Sequence, residues 1–322
     1  MSRGTAQIQG AGRRAARPLA SVLAWAGTLA IVCLVVYVLL AVLPGDVASQ
    51  QLGAEATAGS LARERHVLGL DRPVLLRFGG WLGGVLHGDL GTMLATGEPV
   101  SAVIAGPLGR SAILLVLGLA GILVCGVGGG VLAGTRAGSR TDRALSGAAL
   151  TMICVPEFVV GTFLVLVLAI WLRWLPAVSL VPLGGSMLSR PAVLVLPVIT
   201  LVMVGSGMLL RQVRALVCQQ AERPHVEAAR LAGLPGSVVL RSHLLPGIAV
   251  PIAQACSAIV PYLVGGSVVV ERVFAFPGLG TLLVAAVSDR EPNLLMACVL
   301  IIVGLTLMAY MFADSLRRRN WV

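Results

Sequence analysis

"HVEAARLAGLPGSVVLRSHLLP" (residues 225–246) lies between two long apolar runs and has a chemistry unlike either. Good helix formers follow Pro224, which suits a first helical turn because its missing N–H would be unpaired there anyway. Glu227 falls early in that helix, where a carboxylate complements the positive end of the dipole. Ala228 and Ala229 are expected to keep the surface flat, so that another backbone can approach. Gly233 permits the positive φ of a helix stop. Leu234-Pro235 then starts a second short helix, and Pro246 marks entry to the next apolar run. The product is a helix–turn–helix with a small, smooth face, a docking element for a partner protein. An ordinary basic loop is the plainer reading of the same composition, with Arg211, Arg214, Arg223, Arg230 and Arg241 as its charges.

The rest of the chain shows what such an element would protrude from. Of the 322 residues, 57% are hydrophobic and 12% charged, with a mean hydropathy of +0.94. A soluble domain carries roughly twice that charged fraction, so the bilayer is the solvent this composition suits. The net charge of +10 comes from arginine alone, without lysine. A nucleic-acid binder would gather its arginines on one polar face. Here they fall in short blocks between apolar runs, which is a topology signal and argues against a nucleic-acid partner. The cysteines Cys33, Cys125, Cys154, Cys218, Cys256 and Cys298 form no C-x-x-C pair, and small buried hydrophobes are their default reading.

A membrane-spanning helix needs about 20 apolar residues. Six stretches qualify: 19–43, 111–133, 144–170, 191–210, 244–270 and 293–313. The first follows Arg13, Arg14 and Arg17 like a signal peptide, but its core is too long and "DVAS" is a poor cleavage site, so it reads as an uncleaved anchor. With the N-terminus inside, segments 1–18, 134–143, 211–243 and 314–322 hold 15 of the 24 arginines. Their acids are only Asp142, Glu222, Glu227 and Asp314, so the positive-inside rule puts both termini in the cytoplasm. The expected plan is a basic, disordered-looking tail over 1–18, a transmembrane domain over 19–315 and a short tail over 316–322. Within the domain lie an outer segment over 44–110 and a cytoplasmic loop over 211–245. In the outer segment, Asp71 and Pro73 are expected to start a helix in which Val74, Leu75, Phe78, Trp81, Leu82, Val85 and Leu86 recur at helical spacing. It reads as a short interfacial helix, since the segment has too few apolar residues for a core of its own.

The spacing of the opening stretch resembles the coupling-loop motif of ABC importer permeases: Glu227, Ala228, Ala229, Gly233, Leu245 and Pro246, with Arg230 at its rim. His243 departs from the motif, standing where the family usually has an aliphatic residue. "LGLDRPVLLRFGGWLGGVLHGDLG" (68–91), "VVVERVFAFPGLGTLL" (268–283) and "LPGD" (43–46) resemble signatures of the dipeptide/oligopeptide/nickel branch. The resemblance covers about residues 19–315. It implies an all-α, six-span type I permease in a bacterial cytoplasmic membrane, carrying di- or oligopeptides. It also implies a second homologous permease, two ATPase subunits on the coupling helices and an extracytoplasmic binding protein that delivers substrate. Import of nickel chelates or another small solute is the alternative within the branch. No G-x-x-x-x-G-K-[ST] phosphate loop is present. ATP and magnesium therefore belong to the partner ATPases, and this chain has no cofactor, metal or catalytic role of its own.

Other residues carry weaker signals. Glu157, after Pro156, is the acid deepest in a span, about 14 residues into the third helix. An unpaired carboxylate there costs about 2.5–3.5 kcal/mol on insertion scales. It is expected either to line the pathway, meeting a peptide amine, or to pair with an arginine of the second permease. "VGSGM" (204–208), with Ser206, resembles an intramembrane protease, but small residues commonly mark helix packing. No histidine lies deep in a span to act as base: His66, His87, His225 and His243 are all in the loops, without metal-ligand spacing. An intramembrane hydrolase at Ser206 and a stand-alone channel are the competing readings, and neither gives a docking helix a purpose. Glu271, Phe274, Phe276, Pro277, Gly278 and Gly280 suggest irregular backbone near the membrane, which must line water or be buried in protein. Glu271, Phe276, Pro277, Gly278 and Gly280 are assigned to a re-entrant scoop near an outer gate, and together with Glu157 and Ser206 they are the expected residues of the translocation pathway.

Overall fold

A computed structural model describes residues 4–53, 56–180 and 187–319. The described chain is helical, with one isolated bridge between Thr92 and Pro99 as its only strand-like pairing. The helices in chain order are α1 (Gly4–Val42), α2 (Val47–Leu52), α3 (Ala58–Val67), α4 (Val74–Leu86), α5 (Val100–Thr135), α6 (Arg140–Cys154) and α7 (Glu157–Leu164, continued as a π-helix to Trp171). They continue with α8 (Ala192–Ala221), α9 (Pro224–Leu231), α10 (Gly236–Val238), α11 (Leu245–Val273), α12 (Leu279–Ser288) and α13 (Pro292–Arg319).

Among the described residues, five helices are long and apolar enough to cross a membrane, or six if one bent pair counts as one span. That pair is α6 and α7, and it corrects the continuous span expected over 144–170. The chain turns by 103° at Val155-Pro156. Proline lacks the N–H of an i→i−4 bond and pushes its predecessor out of the α region; Val155 sits at φ −99°, ψ 122°. Glu157 is therefore the first residue of a new helix, not a residue deep inside an old one. The basic N-terminal segment also differs from the disordered-looking tail expected, because the backbone is helical from Gly4.

The chain forms two compact units. One combines the residues up to Val103 with Leu283–Leu307. Between α1 and α5 its described residues hold three short helices, two of them started by capping boxes at Asp46 and Thr57. The expected interfacial helix is α4, with Phe78 and Trp81 buried and Leu75, Leu76 and Leu86 exposed. Asp71 does not cap it: the cap position is Pro73, without a side-chain bond. Asp71 instead meets Nδ1 of His66 at 2.9 Å, a hydrogen bond that holds its carboxyl below the ordinary range. The segment does have a core, but a borrowed one: Tyr37 of α1 packs on Phe78 with ring centroids 5.7 Å apart, and Cys33 and Leu40 are buried beside it in sequence. Glu291 fastens the 91–99 turn of the same unit, accepting the N–H groups of Leu94 at 2.9 Å and Ala95 at 2.7 Å.

The second unit holds the main apolar core, with Leu114, Ile122, Leu201, Leu209, Val213, Ile259 and Leu263 at its centre. Helices α5 and α8 meet along small residues. A Cβ on Gly130 would lie 2.6 Å from the Val213 Cβ, and one on Gly134 2.6 Å from the Val217 Cβ. Gly126, Gly130 and Gly134 recur every fourth residue, a close-approach stripe suited to a bilayer, where helices gain from contact rather than from leaving water. Gly205 and Gly207 of "VGSGM" serve the same purpose, against Ile122 and Ala149. At one end of α8, Arg214 holds Asp142 through two bonds, of 2.5 and 2.8 Å. The Gly138 N–H and the Ser146 hydroxyl complete that carboxylate's shell. All six cysteines are free thiols; Cys33 and Cys298 are buried, while Cys125 and Cys154 face outward.

Candidate functional site

The coupling stretch folds as a helix with a closed end. α9 starts at Pro224 and carries Glu227 in its first turn and Arg230 in its last. Gly233 has φ +76°, as its position after Ala232 predicted. The Gly233 N–H reaches the Arg230 carbonyl at 3.0 Å and the Leu234 N–H reaches the Ala229 carbonyl at 3.3 Å. These paired bonds make a Schellman motif, which satisfies the last carbonyls and fixes where the helix stops. A Cβ at Gly233 would meet nothing within 4 Å, so the backbone angle alone selects glycine there.

The two alanines divide. Ala229 is buried with Val226 and Val239 in a small core that holds α9 to the rest of the loop. Ala228 is exposed, as are Glu227 and Arg230. The flat face expected from both alanines therefore has only one of them. Its neighbour Leu231, missed in the sequence, is 83% exposed and gives the surface a knob rather than a smooth plane. The signal was available: an apolar residue five beyond Val226 falls off the buried side of so short a helix.

The second helix of the turn does not stand apart. From Gly236 the chain runs helically to Val273, through a π-helical segment at Val239–Leu244. The Leu245 N–H reaches back five residues to the Leu240 carbonyl. The π register ends just before Pro246, which has no N–H to offer and stands in the first turn of α11, where entry to the span was expected. Leu244 is buried in the main core and Leu245 packs against it. Nδ1 of His243, the motif's departure, is buried without a hydrogen-bond partner.

Glu271, Phe276, Pro277, Gly278 and Gly280 gather at the turn between α11 and α12, while Ser206 lies in α8 and Glu157 at the start of α7. Glu271 is 1% exposed at the end of α11. Its carboxyl accepts the Ser111 hydroxyl at 2.5 Å, the Gly280 N–H at 2.7 Å and the Thr281 N–H at 3.1 Å. It thus caps the start of α12 from a distance, at the positive end of that helix. Ser111 also accepts the Leu279 N–H at 2.7 Å, and Nε of Arg110 reaches the Pro277 carbonyl at 2.7 Å. A Cβ on Gly278 would collide with Glu271 and Ser111, and one on Gly280 with the backbone of Val268. Phe274 and Phe276 are wholly buried. The irregular backbone is thus enclosed in protein, and neither Glu271 nor Phe276 reaches an open surface. Ser111 and Arg110 went unnoticed because they lie some 160 residues from their partners.

Ser206 sits in α8 at 8% exposure, with its hydroxyl turned back to the Met203 carbonyl at 3.2 Å. Glu157 lies beside Gly266, where an added Cβ would stand 3.2 Å from its Oε1. It also neighbours Tyr262, whose buried hydroxyl has no bond of good geometry within the chain. Its site is half-buried at a helix N-terminus, the favourable end for a carboxylate. Losing that dipole interaction costs under about 1 kcal/mol. Glu157→Gln is therefore expected to change transport while the subunit still co-purifies at wild-type yield. Collapse of the complex in a pull-down would show a structural pair instead.

The chain matches two family models: binding-protein-dependent transport system inner membrane component over residues 126–322, and the N-terminal part of such components over residues 18–104. A putative peptide transport system permease protein of Brucella abortus is 33% identical over 261 residues, covering 81% of this chain and 83% of that one. A probable peptide ABC transporter permease protein of Sinorhizobium fredii is 31% identical, covering 89% and 91%. A glutathione transport system permease protein of Pectobacterium atrosepticum is 31% identical, covering 85% and 87%. The helical fold, the apolar spans and these matches place the chain in the inner-membrane permease family of ABC importers, as a multi-pass transport subunit of peptide type rather than an enzyme.

Proposed function

We propose that the chain pairs with a second permease to form a translocation pathway for di- or oligopeptides, driven by two ATPases that grip α9. The observation that carries this reading is the form of α9: a helix with a fixed end, an exposed rim of Glu227, Ala228, Arg230 and Leu231, and an inner face bonded to its own chain. A channel working alone has no use for such a projection. Relatives with peptide in their names favour a peptide cargo, and a glutathione transporter among them suits a short one. The arginine-rich segments, including the α9 loop, would lie in the cytoplasm with both termini, and a binding protein would deliver substrate to the opposite face.

Affinity purification in mild detergent tests the assembly. It should recover a second permease and P-loop ATPases with this chain. A cysteine at residue 60 should label from outside intact cells and one at residue 138 only after permeabilisation. Recovery of the chain alone, or labelling of position 138 in intact cells, would contradict the proposal.

A further inference from the structure

In the unit that contains α1 to α4, a cavity of about 350 Å³ opens where the first span ends. Tyr37, Asp46, Arg65, Val74, Arg77 and Arg290 contribute to its walls. Three guanidinium groups thus share one space with a single carboxylate. Asp46 is committed locally: it holds Nε of Arg65 at 2.6 Å and the Ser49 N–H at 2.9 Å. Arg290 spends one nitrogen on the neutral Pro44 carbonyl at 3.1 Å, which leaves its charge unanswered. The Arg77 guanidinium lies over the Tyr37 ring, 5.9 Å from its centroid, and its Nε is buried without a hydrogen-bond partner. An unpaired buried donor is costly, and a planar fork of N–H groups matches a phosphate better than any point charge.

The surroundings say which kind of phosphate fits. Leu39 and Val42 of α1 and Leu75 and Leu76 of α4, next in sequence to the lining residues Leu40, Ala41, Val74 and Arg77, are exposed, at 60%, 76%, 65% and 69%. A cationic pocket at the end of a span, edged by bare aliphatic side chains, suits a molecule with an anionic head and hydrocarbon tails. In the topology proposed above this end of the first span meets the outer headgroup layer, where an arginine fork can take a lipid phosphate. We propose that this cavity binds the phosphate of an anionic phospholipid, with Arg77 as principal donor and Arg290 as second.

The test uses the purified full chain in detergent, with the subunits that accompany it. Phosphatidylglycerol, diacylglycerol and inorganic phosphate are added separately; bound lipid is read by native mass spectrometry and stability by thermal unfolding. Phosphatidylglycerol should bind and raise the unfolding temperature, as any ligand selective for the folded state does. Diacylglycerol, lacking the phosphate, should do neither. Arg77→Gln and Arg290→Gln should each weaken phosphatidylglycerol binding about tenfold, the effect of losing one charge-assisted contact. Arg77→Lys, which keeps the charge but not the fork, should fall between and guards against a folding defect in Arg77→Gln. Equal binding of phosphatidylglycerol by wild type, Arg77→Lys and Arg290→Gln would overturn the site. Equal stabilisation by inorganic phosphate would keep the phosphate site and overturn its assignment to lipid.

Discussion

Gly233→Val leaves the subunit in the membrane and abolishes substrate-stimulated ATP hydrolysis. Gly233 has φ +76°, where an L-residue pays roughly 1–2 kcal/mol and a β-branched one more. To escape, the turn would give up the bonds that close α9 on the Ala229 and Arg230 carbonyls, each worth about 1 kcal/mol net. Nothing within the chain lies near a Cβ at this position, so the core is spared and insertion should be normal. What is lost is the end of the helix, and with it the angle at which Glu227, Ala228, Arg230 and Leu231 are presented. Gly233→Asn tolerates positive φ and should keep measurable coupling. Stimulated hydrolysis in reconstituted vesicles, with ATPase co-purification beside it, reads both variants. Equal loss in Asn and Val would mean that bulk at the contact surface, not the turn, is the cause.

The second large effect is expected at Glu271. Glu271→Ala strips the acceptor from the Ser111 hydroxyl and the Gly280 and Thr281 N–H groups in one step. Each buried polar group left unpaired costs about 1–3 kcal/mol, against a typical total stability of about 5–15 kcal/mol. The amount of subunit in the membrane, followed after synthesis is stopped, should fall several-fold faster than wild type. Glu271→Gln should be milder, since its amide oxygen can take the two N–H groups and its NH2 can donate to the Ser111 oxygen. Wild-type persistence of Glu271→Ala with transport alone lost would make this carboxyl a pathway group, contrary to its enclosure.

Local chemistry was legible in the sequence wherever one residue type has a single use. Gly233 was read as a helix stop and is one. The recurrence from Val74 to Leu86 was read as a helix, and it buries Phe78 and Trp81. Where two rules competed, apolar length outweighed a breaker: the run 144–170 hid the bend that Pro156 imposes, and with it the true place of Glu157 at a helix start. At Pro246 the reading held, since the proline stands in the first turn of α11, but the π segment that joins α11 to the short helix before it went unforeseen. Pairings across the chain were out of reach. Nothing near Glu271 announces Ser111, and nothing near Arg214 announces Asp142, since such contacts exist only once helices pack. The Gly126, Gly130 and Gly134 stripe was readable by its spacing alone and went unread.

The central claim is that α9 delivers force from a partner ATPase. A cysteine in place of Leu231, the exposed large hydrophobic of α9, tests it most directly. In the assembled, transporting complex it should crosslink to an ATPase subunit through a short reagent, and the yield should change between nucleotide-free and ATP-bound states. Crosslinking to lipid-embedded chains only, or to no ATPase in a complex that still transports, would contradict the account.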